Sequence, residues 1–304
     1  MTTVRKILRD FGLHPRKHLG QSFLEDKNII NKIIRIAGIQ KEDVVVEIGA
    51  GLGVMTEQLA LAAARIIAID VDPGMIAVLR ERLQAKDNVE IVEGDIMSFD
   101  FSIFQNGSKL SDKIKVIGNV PYNISTPILF RLLKYRHYIS EMVLLLQKEV
   151  VDRITALPGT KEYGTPSVIV DMHAVATREM NVPADCFFPS PKVTSSLLKM
   201  VMRKKSLVPL DDEDFFTRVV RNAFSQRRKT LLNNLRRFCG ALITEDGLAG
   251  LLSDLGIDGR RRGETLTTTE FASLSNALFQ LSNKAVSGAS AVGSQNNIAI
   301  SDKV

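Results

Sequence analysis

Residues 115–127 read Lys-Val-Ile-Gly-Asn-Val-Pro-Tyr-Asn-Ile-Ser-Thr-Pro, and the other predicted elements of this sequence are arranged around them. Their short apolar run ends at Gly118 and indicates the end of a buried strand. Pro121 fixes its own φ angle and restricts the residue before it, so the following turn is stiff. Ser125 and the proline two residues later predict a helix over about residues 126–134. Open α/β sheets bind ligands at such turns, where strands end.

The side chains of this turn suit an exocyclic amino group. The amide oxygen of Asn119 is one hydrogen-bond acceptor, and the backbone carbonyl of Val120 or Pro121 is a second. Two acceptors that bind both hydrogens of an adenine amino group would leave its nitrogen lone pair available, and Tyr122 offers a face for stacking. An ordinary strand-to-helix turn with a surface tyrosine accounts for the same residues, so both interpretations stay open here.

Composition narrows the class of protein. The chain of 304 residues has room for one large and one smaller domain, and its net charge of +6 fits a polyanionic partner. Cys186 and Cys239 are far apart and have no CxxC spacing, and the four histidines show no metal-ligand spacing. No apolar run has the length of a membrane span, and the N-terminus has no signal core. We expect a cytoplasmic monomer with no metal and no membrane segment.

Strand and helix patterns alternate through the first two thirds of the chain, which predicts an α/β fold with a parallel sheet covered on both faces. Strands are predicted over residues 44–48, 66–70, 89–92, 116–119 and 142–146. Helices are predicted over residues 26–37, 54–63, 72–84, 126–134, 148–156 and 167–174. Two last strands, about 176–182 and 196–202, are expected to pair antiparallel, and residues 102–113 are expected to form a loop.

The domain organisation follows from changes in composition. Residues 1–204 are predicted to form the sheet domain, and its first twenty residues are rich in Arg and Lys, as in a solvated basic arm. Residues 205–283 carry only helical patterns and predict a small all-helical C-terminal domain. Small and polar residues dominate over 284–304, so this tail is predicted to be disordered.

A nucleotide-type cofactor is indicated by the glycines that follow the first strand. Gly49, Gly51 and Gly53 let the backbone approach a ligand, but their spacing does not match the dinucleotide pattern GxGxxG. Asp70 ends the second strand, where a carboxylate can accept both ribose hydroxyl protons.

Two further carboxylates stand at strand ends, Glu47 and Asp95. They suit a ligand with an ammonium group and an adenine amino group, and S-adenosylmethionine has both. NAD would instead need a pyrophosphate site at the helix N-terminus. A structural role for Glu47 and a plain turn role for Asp95 remain alternatives.

With these pieces in order, the sequence resembles the ribosomal RNA adenine N6,N6-dimethyltransferases, in the branch that acts on the small subunit. The similarity runs from about residue 14 to residue 281. It rests on the order and spacing of six motifs, LGQSFL (19–24), EIGAG (47–51), NVPYNISTP (119–127), LQKEV (146–150), FFPSPKV (187–193) and AFSQRRKT (223–230).

The resemblance implies a Rossmann-like, S-adenosylmethionine-dependent methyltransferase sheet with a small helical C-terminal domain. It implies transfer of two methyl groups to N6 of each of two adjacent adenines in the 3′-terminal hairpin loop of small-subunit (16S) rRNA, within a pre-ribosomal small subunit. It assigns cofactor contacts to Ser22, Leu24, Gly49, Asp70, Asp95 and Asn119, and our own set adds Glu47 and Gly51. Ser22 stands where Asn is commonest in the family, and Asp70 stands where Glu is frequent.

The expected mechanism is a direct in-line transfer without a covalent enzyme intermediate, because a sulfonium is already an activated donor. The target base leaves its stack to reach the pocket. Tyr122 and Phe187 are predicted to clamp its two faces, while Asn119 and Pro121 hold the amino group. Core packing is the alternative role for Phe187.

Three other functions stay in view. The first is the related methyltransferase of large-subunit rRNA that confers macrolide resistance, although Pro127 and the Gln-Lys-Glu stretch at 147–149 resemble the small-subunit branch more. The second is an RNA-binding factor that has lost catalysis, which the intact 119–122 turn disfavours. The third is a dehydrogenase, which the glycine spacing disfavours.

RNA binding is predicted at a basic cluster in the C-terminal domain. If the helix after residue 211 is continuous, Arg221, Arg228 and Arg236 fall near one face, and Arg227 and Lys229 widen the patch. A solvated helix face is the alternative interpretation.

Overall fold

The computed structural model describes residues 3–106, 114–240 and 242–293, which form two compact units. The first unit takes its residues from Met1–Thr155 and His173–Arg203, and the second from Ala156–Met172 and Lys204–Val304. Residues 156–172 were predicted to belong to the first domain, so a single boundary at residue 204 is wrong for this segment. The reason is Tyr163, whose hydroxyl donates to Leu266 O at 2.9 Å and whose ring packs against Phe224.

The first unit contains a seven-stranded sheet and a two-stranded ribbon. Five strands run parallel, β2 (Val44–Ile48), β3 (Arg65–Asp70), β4 (Val89–Glu93), β5 (Ile114–Asn119) and β6 (Ile139–Gln147). β9 (Ser195–Met202) pairs antiparallel with both β6 and β7 (Ala174–Val182), and β1 (Phe23–Leu24) pairs with β8 (Phe187–Phe188). The sheet order is β4-β3-β2-β5-β6-β9-β7. The predicted α/β sheet is confirmed, including its antiparallel end.

The strand order places a crevice at the carboxyl ends of β2 and β5. From β2 the chain moves outward to β3 and β4 on one side, and from β5 it moves outward to β6 on the other. Connections therefore diverge between β2 and β5, which is the switch point where such sheets bind ligands. The central strands are almost wholly apolar because helices cover both faces of a parallel sheet.

The helices of the first unit begin and end where the sequence signals predict. They are α2 (Lys27–Ala37), α3 (Val54–Ala62), α4 (Pro73–Arg82), α5 (Ser125–Lys134) and α6 (Lys148–Ile154). The next helix, α7 (Thr165–His173), belongs to the second unit except for its last residue. Asp26 caps α2 through its carboxylate, and Gly38 ends this helix with a φ of 53°. Asp72 caps α4 in the same way, ahead of Pro73 at the first helical position.

The first twenty residues correct the prediction of a solvated arm. Val4–Asp10 form the helix α1, whose apolar side chains Val4, Ile7 and Leu8 are buried against Leu52, Met75 and Val78. The prediction considered only the number of basic residues and overlooked apolar residues at positions i, i+3 and i+4, which form one face of a helix. Arg5 lies with its guanidinium 4.6 Å from the centre of the Phe188 ring.

The second unit is helical, with α8 (Glu213–Ala223), α9 (Leu231–Cys239), α10 (Glu245–Asp254) and α11 (Thr268–Gly293). The assumption of one continuous helix after residue 211 is wrong, because residues 224–230 form a turn between α8 and α9. Thr230 caps α9 by accepting from Asn233 N, and the Asn234 amide donates to Ala223 O and Gln226 O. These bonds replace the backbone bonds that a continuous helix would make.

Two further predictions concern the C-terminal tail, residues 284–304, and the loop over residues 102–113. Backbone helix continues over residues 284–293, where disorder was predicted, and the alanines of this stretch favour helix intrinsically. Residues 294–304 lie outside the described residues. The predicted loop over 102–113 begins as a short 3₁₀ turn, and residues 107–113 also lie outside them. Within the described ranges, no helix is both long and apolar enough to span a membrane.

We predict that Gly118→Ala destabilises the protein by about 1–3 kcal/mol, the usual cost of forcing a methyl group into a packed site. A Cβ atom at residue 118 would lie 2.8 Å from Ile48 O and 3.0 Å from Ile48 Cβ, so β2 and β5 would have to separate. Urea unfolding measures the change. Gly94→Ala is the control, since a Cβ there meets nothing within 4 Å; equal stability of the two variants would contradict the prediction.

Candidate active site

A cleft opens at the carboxyl ends of β2, β3, β4 and β5, the edge at which open α/β sheets bind small molecules. It is lined by Leu19, Gly20, Gln21, Ser22, Phe23, Ile48, Gly49, Gly51, Ile69, Asp70, Val71, Gly94, Asp95, Ile96, Asn119, Val120, Pro121, Tyr122, Ile124 and Ile128. The structure therefore brings together eight predicted site residues, Ser22, Gly49, Gly51, Asp70, Asp95, Asn119, Pro121 and Tyr122.

The glycine loop forms one wall because its backbone is pressed against neighbouring strand ends. Gly49 has a φ of 69° and Gly51 a φ of 56°, which other residues rarely adopt. The Gly49 and Ala50 amides both donate to Ile69 O, and a Cβ at residue 49 would lie 3.3 Å from Asn119 O. The wall of the cleft is thus bare backbone, which a ligand can approach closely.

Asp70 connects the glycine loop to the end of β3. Its Oδ2 accepts from Gly51 N at 2.8 Å, and its Oδ1 accepts from Asp72 N at 2.9 Å. Burial raises the pKa of this carboxyl group, and the two backbone donors oppose the rise. Each oxygen keeps a second lone pair, so the group can still accept a hydrogen bond from a ligand.

Asp95 also lines the cleft, after β4, the strand next to β3. Its Oδ1 accepts from Met97 N at 2.8 Å in a local turn, whereas its Oδ2 has no partner among the described residues. Gly94 N donates to Asp70 O at 2.9 Å and so fixes the distance between the two strand ends. The two carboxylates form acceptor sites at separate places on the cleft wall.

The Asn119 amide is fixed with its acceptor free. Its Nδ2 donates to Ser22 O at 2.7 Å, so the assigned orientation leaves Oδ1 without a partner among the described residues. The Ser22 hydroxyl donates to Pro189 O at 2.8 Å. Ser22 thus lines the cleft, but its side chain already makes a bond within the protein.

Tyr122 is held by a residue that sequence reasoning missed. Its phenol shares a short hydrogen bond with the hydroxyl of Ser195, a fully buried side chain at the start of β9. Burial raises the pKa of Tyr122, which keeps the phenol protonated. The ring therefore has a defined orientation at the edge of the cleft. The only sequence signal for Ser195 is a small polar residue that opens an apolar strand.

Gln21 and Asp72 were also missed. Gln21 Nε2 donates to Asp72 Oδ2 at 2.8 Å, and Gln21 Oε1 accepts from Arg16 N at 2.7 Å. Arg16 also pairs with buried Asp72 at 3.2 Å. This network holds the 19–23 segment against the N-terminus of α4, and the glutamine of the LGQSFL motif was its sequence signal.

Three predicted site residues are not in the lining. Leu24 and Phe187 are register partners across β1 and β8, and both side chains are buried in the hydrophobic core of the first unit. The predicted clamp of Tyr122 and Phe187 is therefore not formed here, because register partners point to the same face and this face is the core.

Glu47, the third, is also buried. Its Oε2 has no hydrogen-bond partner among the described residues. Burial raises the pKa of Glu47 to about 8, the nearby Asp70 carboxylate adds to the rise, and the Thr56 hydroxyl opposes it.

The predicted RNA-binding residues of the second unit divide into two kinds. Arg221, Arg228 and Lys229 are exposed and form no ion pair with a described residue. Arg227 is held in place, since its Nε pairs with Glu264 Oε2 at 3.1 Å and its guanidinium also donates to Lys161 O. Arg236 pairs with Glu245 at 3.1 Å. A shallow depression nearby is lined by Gly159, Thr160, Lys161, Arg227, Arg228, Arg262 and Glu264.

The described part of the chain contains no group of side chains that could bind a metal ion. No three His, Cys, Asp or Glu side chains are grouped closely enough there to hold a metal ion. Cys186 and Cys239 are both free thiols, and burial raises the pKa of Cys239 to about 11.

Comparison with known proteins identifies the family. The family model described as ribosomal RNA adenine dimethylase matches residues 12–278. "Ribosomal RNA small subunit methyltransferase A" of Syntrophus aciditrophicus is 44% identical over 91% of this chain and 99% of its own length, and that of Moorella thermoacetica is 46% identical over 90% and 95%.

Two solved structures have a similar fold. A dimethyladenosine transferase from Plasmodium falciparum superposes with a TM-score of 0.71 at 27% identity, covering 83% of this chain and 95% of the other. The 23S rRNA methyltransferase ErmE has a TM-score of 0.64 at 22% identity, covering 84% and 99%, which shows the shared fold alone. This chain belongs to the ribosomal RNA adenine dimethylase family.

Proposed function

We propose that the protein dimethylates N6 of two adjacent adenines in the 3′-terminal hairpin loop of small-subunit rRNA, with S-adenosylmethionine as the methyl donor, during ribosome biogenesis. The observation that carries this proposal is the Asn119 amide, whose nitrogen is bound to Ser22 O and whose oxygen is left free beside the Tyr122 ring. The named relatives, at 44% and 46% identity over nine tenths of the chain, support the choice of the small subunit.

The cleft fits S-adenosylmethionine. The bare glycine backbone leaves room for the cofactor, buried Asp70 has acceptor capacity for the ribose hydroxyls, and Asp95 Oδ2 is free for an adenine amino group. When bound, the cofactor supplies a methyl group on a sulfonium, which needs no further activation. The protein's part is to hold the two reactants in line and to exclude water.

The target adenine enters the same cleft next to the 119–122 turn. Asn119 Oδ1 accepts one hydrogen of its amino group, and a backbone carbonyl of the turn accepts the other. Pro121 O already accepts from Ile124 N at 3.2 Å and keeps one lone pair for this purpose. Both bonds favour a tetrahedral nitrogen, so they strengthen as the methyl group is transferred.

Proton removal needs no dedicated base in this mechanism. Asp70 and Asp95 serve the cofactor side, and Tyr122 stays protonated because its burial raises the pKa of the phenol. The methylated amino group is strongly acidic while it carries an extra proton, so water can take that proton after the transfer. Tyr122 contributes its ring face, held in orientation by Ser195.

The second unit is proposed to bind RNA phosphates outside the target loop. Arg228 and Lys229 are exposed, unpaired with described acids, and follow α8 in a turn that two Asn234 bonds hold in shape. Arg227 has a structural part, because its ion pair with Glu264 fixes this turn. Phosphate contacts of this kind position the protein without reading the sequence.

One experiment tests the whole proposal. Small subunits that lack the two dimethyladenines are incubated with labelled S-adenosylmethionine and the protein, and the modified bases are mapped by primer extension. Arrest of the primer at two adjacent adenines near the 3′ end of the rRNA is expected. A parallel incubation contains large subunits; label in their rRNA, with none in the small subunits, would point instead to the macrolide-resistance type of enzyme.

We predict that Asn119→Ala lowers turnover by roughly a hundredfold or more, as loss of a transition-state contact does, while cofactor binding changes only a few-fold. Single-turnover methylation and calorimetry measure the two quantities. Asn119→Asp separates the two halves of the amide, because it keeps an acceptor oxygen but loses the donor to Ser22 O. Near-normal turnover of the alanine variant would remove the amino-group role.

We predict that Asp70→Ala weakens S-adenosylmethionine binding by about 1.5–3 kcal/mol, the range for hydrogen bonds to a charged group. The loss includes the anchor of the Gly51 amide as well as the ribose acceptor. Calorimetry measures it, with Asp87→Ala as the control, since Asp87 is an exposed acid before β4 at the other edge of the sheet. Equal affinity of both variants would place the ribose elsewhere.

We predict that Arg228→Gln with Lys229→Gln weakens binding to small subunits and lowers the slope of log affinity against log salt by about two units, one for each phosphate contact. Cofactor affinity should not change. The matched control is Lys41→Gln with Lys134→Gln, which removes two exposed lysines at the amino edge of the sheet that form no ion pair with a described residue. If the two double variants share one salt slope, the turn does not contact RNA phosphate.

A further inference from the structure

The segment over residues 189–194 is anchored to the cleft at both ends. At its start, Pro189 O accepts from the Ser22 hydroxyl at 2.8 Å, and just beyond its end the Ser195 hydroxyl bonds to the Tyr122 phenol. Ser22 and Tyr122 both line the cleft. The segment therefore runs from Ser22, on the part of the cleft formed by residues 19–23, to Tyr122, in the turn that is proposed to hold the target base.

Further bonds fix the backbone of this segment. The Ser190 hydroxyl donates to Ala184 O at 2.8 Å, and Thr194 O accepts from Lys148 N at 3.0 Å. Pro191 restricts the backbone between these points. The position of residue 192 is thus set by the protein, although its own side chain is exposed.

Lys192 is the charged residue of this segment, and it is exposed to solvent. Its ammonium forms no ion pair with any residue that the structure describes, and Val193 beside it is 44% exposed. Two other cations of this unit, Lys148 and Arg178, both pair with Asp152. The segment that is tied to cleft residues Ser22 and Tyr122 therefore carries an ammonium group with no ion-pair partner among the described residues.

An adenine that enters the cleft brings its own backbone to that place. Extrusion of a base turns the nucleotide about its backbone, so the phosphates on either side of it remain at the mouth of the pocket. Lysine binds phosphate as a point charge without strict geometry, which suits a strand distorted by base extrusion.

We propose that Lys192 binds a backbone phosphate next to the extruded adenine and so holds the RNA strand over the cleft. This inference rests on the proposed function and deepens it, because it assigns a strand contact to the first unit. Lys192 acts by positioning the substrate, separately from the basic turn of the second unit.

The test compares Lys192→Gln with Lys192→Arg and with the control Lys41→Gln. Lys41 is exposed at the amino edge of the sheet and forms no ion pair with a described residue. The substrate is the small subunit lacking both dimethyladenines. For Lys192→Gln we expect KM for the subunit to rise roughly 3–10-fold and the salt slope of binding to fall by about one unit. Turnover at saturating substrate and calorimetric affinity for S-adenosylmethionine should stay within twofold. Lys192→Arg should restore both KM and slope.

Several results would overturn the inference. KM and slope equal to those of Lys41→Gln would show that no phosphate is bound there, and lower turnover with unchanged KM would show an effect on the chemistry instead. Failure of Lys192→Arg to restore the slope would exclude a charge effect. If the unmutated protein binds subunits but leaves the adenines unmodified, the proposed function fails, and the salt slope of binding by itself then decides whether Lys192 contacts phosphate.

Discussion

Close contact between the ends of β2 and β5 is the constraint on which the cleft depends. Gly118 lies opposite Ile48 in the parallel register, and only a residue without a side chain allows the two backbones to come this close. The glycine loop continues from one strand and the 119–122 turn from the other. The sheet therefore holds the glycine loop and the 119–122 turn next to each other. Because both are already in place, the protein loses little conformational freedom when the reactants bind.

Hydrogen bonds to the 19–23 segment complete the cleft from outside the sheet. Ser22 uses its carbonyl to fix the Asn119 amide and its hydroxyl to fix Pro189, while Gln21 binds the buried carboxylate of Asp72. A segment near the N-terminus thus orients a side chain almost one hundred residues later in the chain. The orientation of Asn119 decides whether an oxygen or a nitrogen faces the substrate, and only the oxygen can accept a hydrogen from an amino group.

Electrostatic roles are divided between the cleft and the surface. The charged groups that line the cleft are carboxylates. Burial raises the pKa of Asp70, and its backbone hydrogen-bond donors oppose the rise, so both affect the acceptor near the proposed cofactor. Glu47 lies deeper, and its raised pKa of about 8 makes it largely neutral at pH 7, so the negative charge beneath the glycine loop is small. In the first unit, exposed Lys192 lies outside the lining of the cleft. This separation fits a cationic cofactor within the cleft and a polyanionic strand at its mouth.

Sequence patterns predicted the α/β sheet, the ends of most strands and helices, and seven of the cleft residues, and the family resemblance added Ser22. They could do so because apolar periodicity, caps and glycines act locally, and because parallel strands always bring their carboxyl ends to one edge. Only the tertiary structure decided the burial of Phe187, the bond from Ser195 to Tyr122, the docking of α1 and the break of the helix after Ala223. Each of these depends on a partner distant in sequence, such as Leu24 for Phe187 or Leu52 for α1. A side chain such as Phe187 can lie either in the core or at the surface, and its distant partner decides which of the two it adopts. The neighbouring residues in the sequence contain no information about that partner.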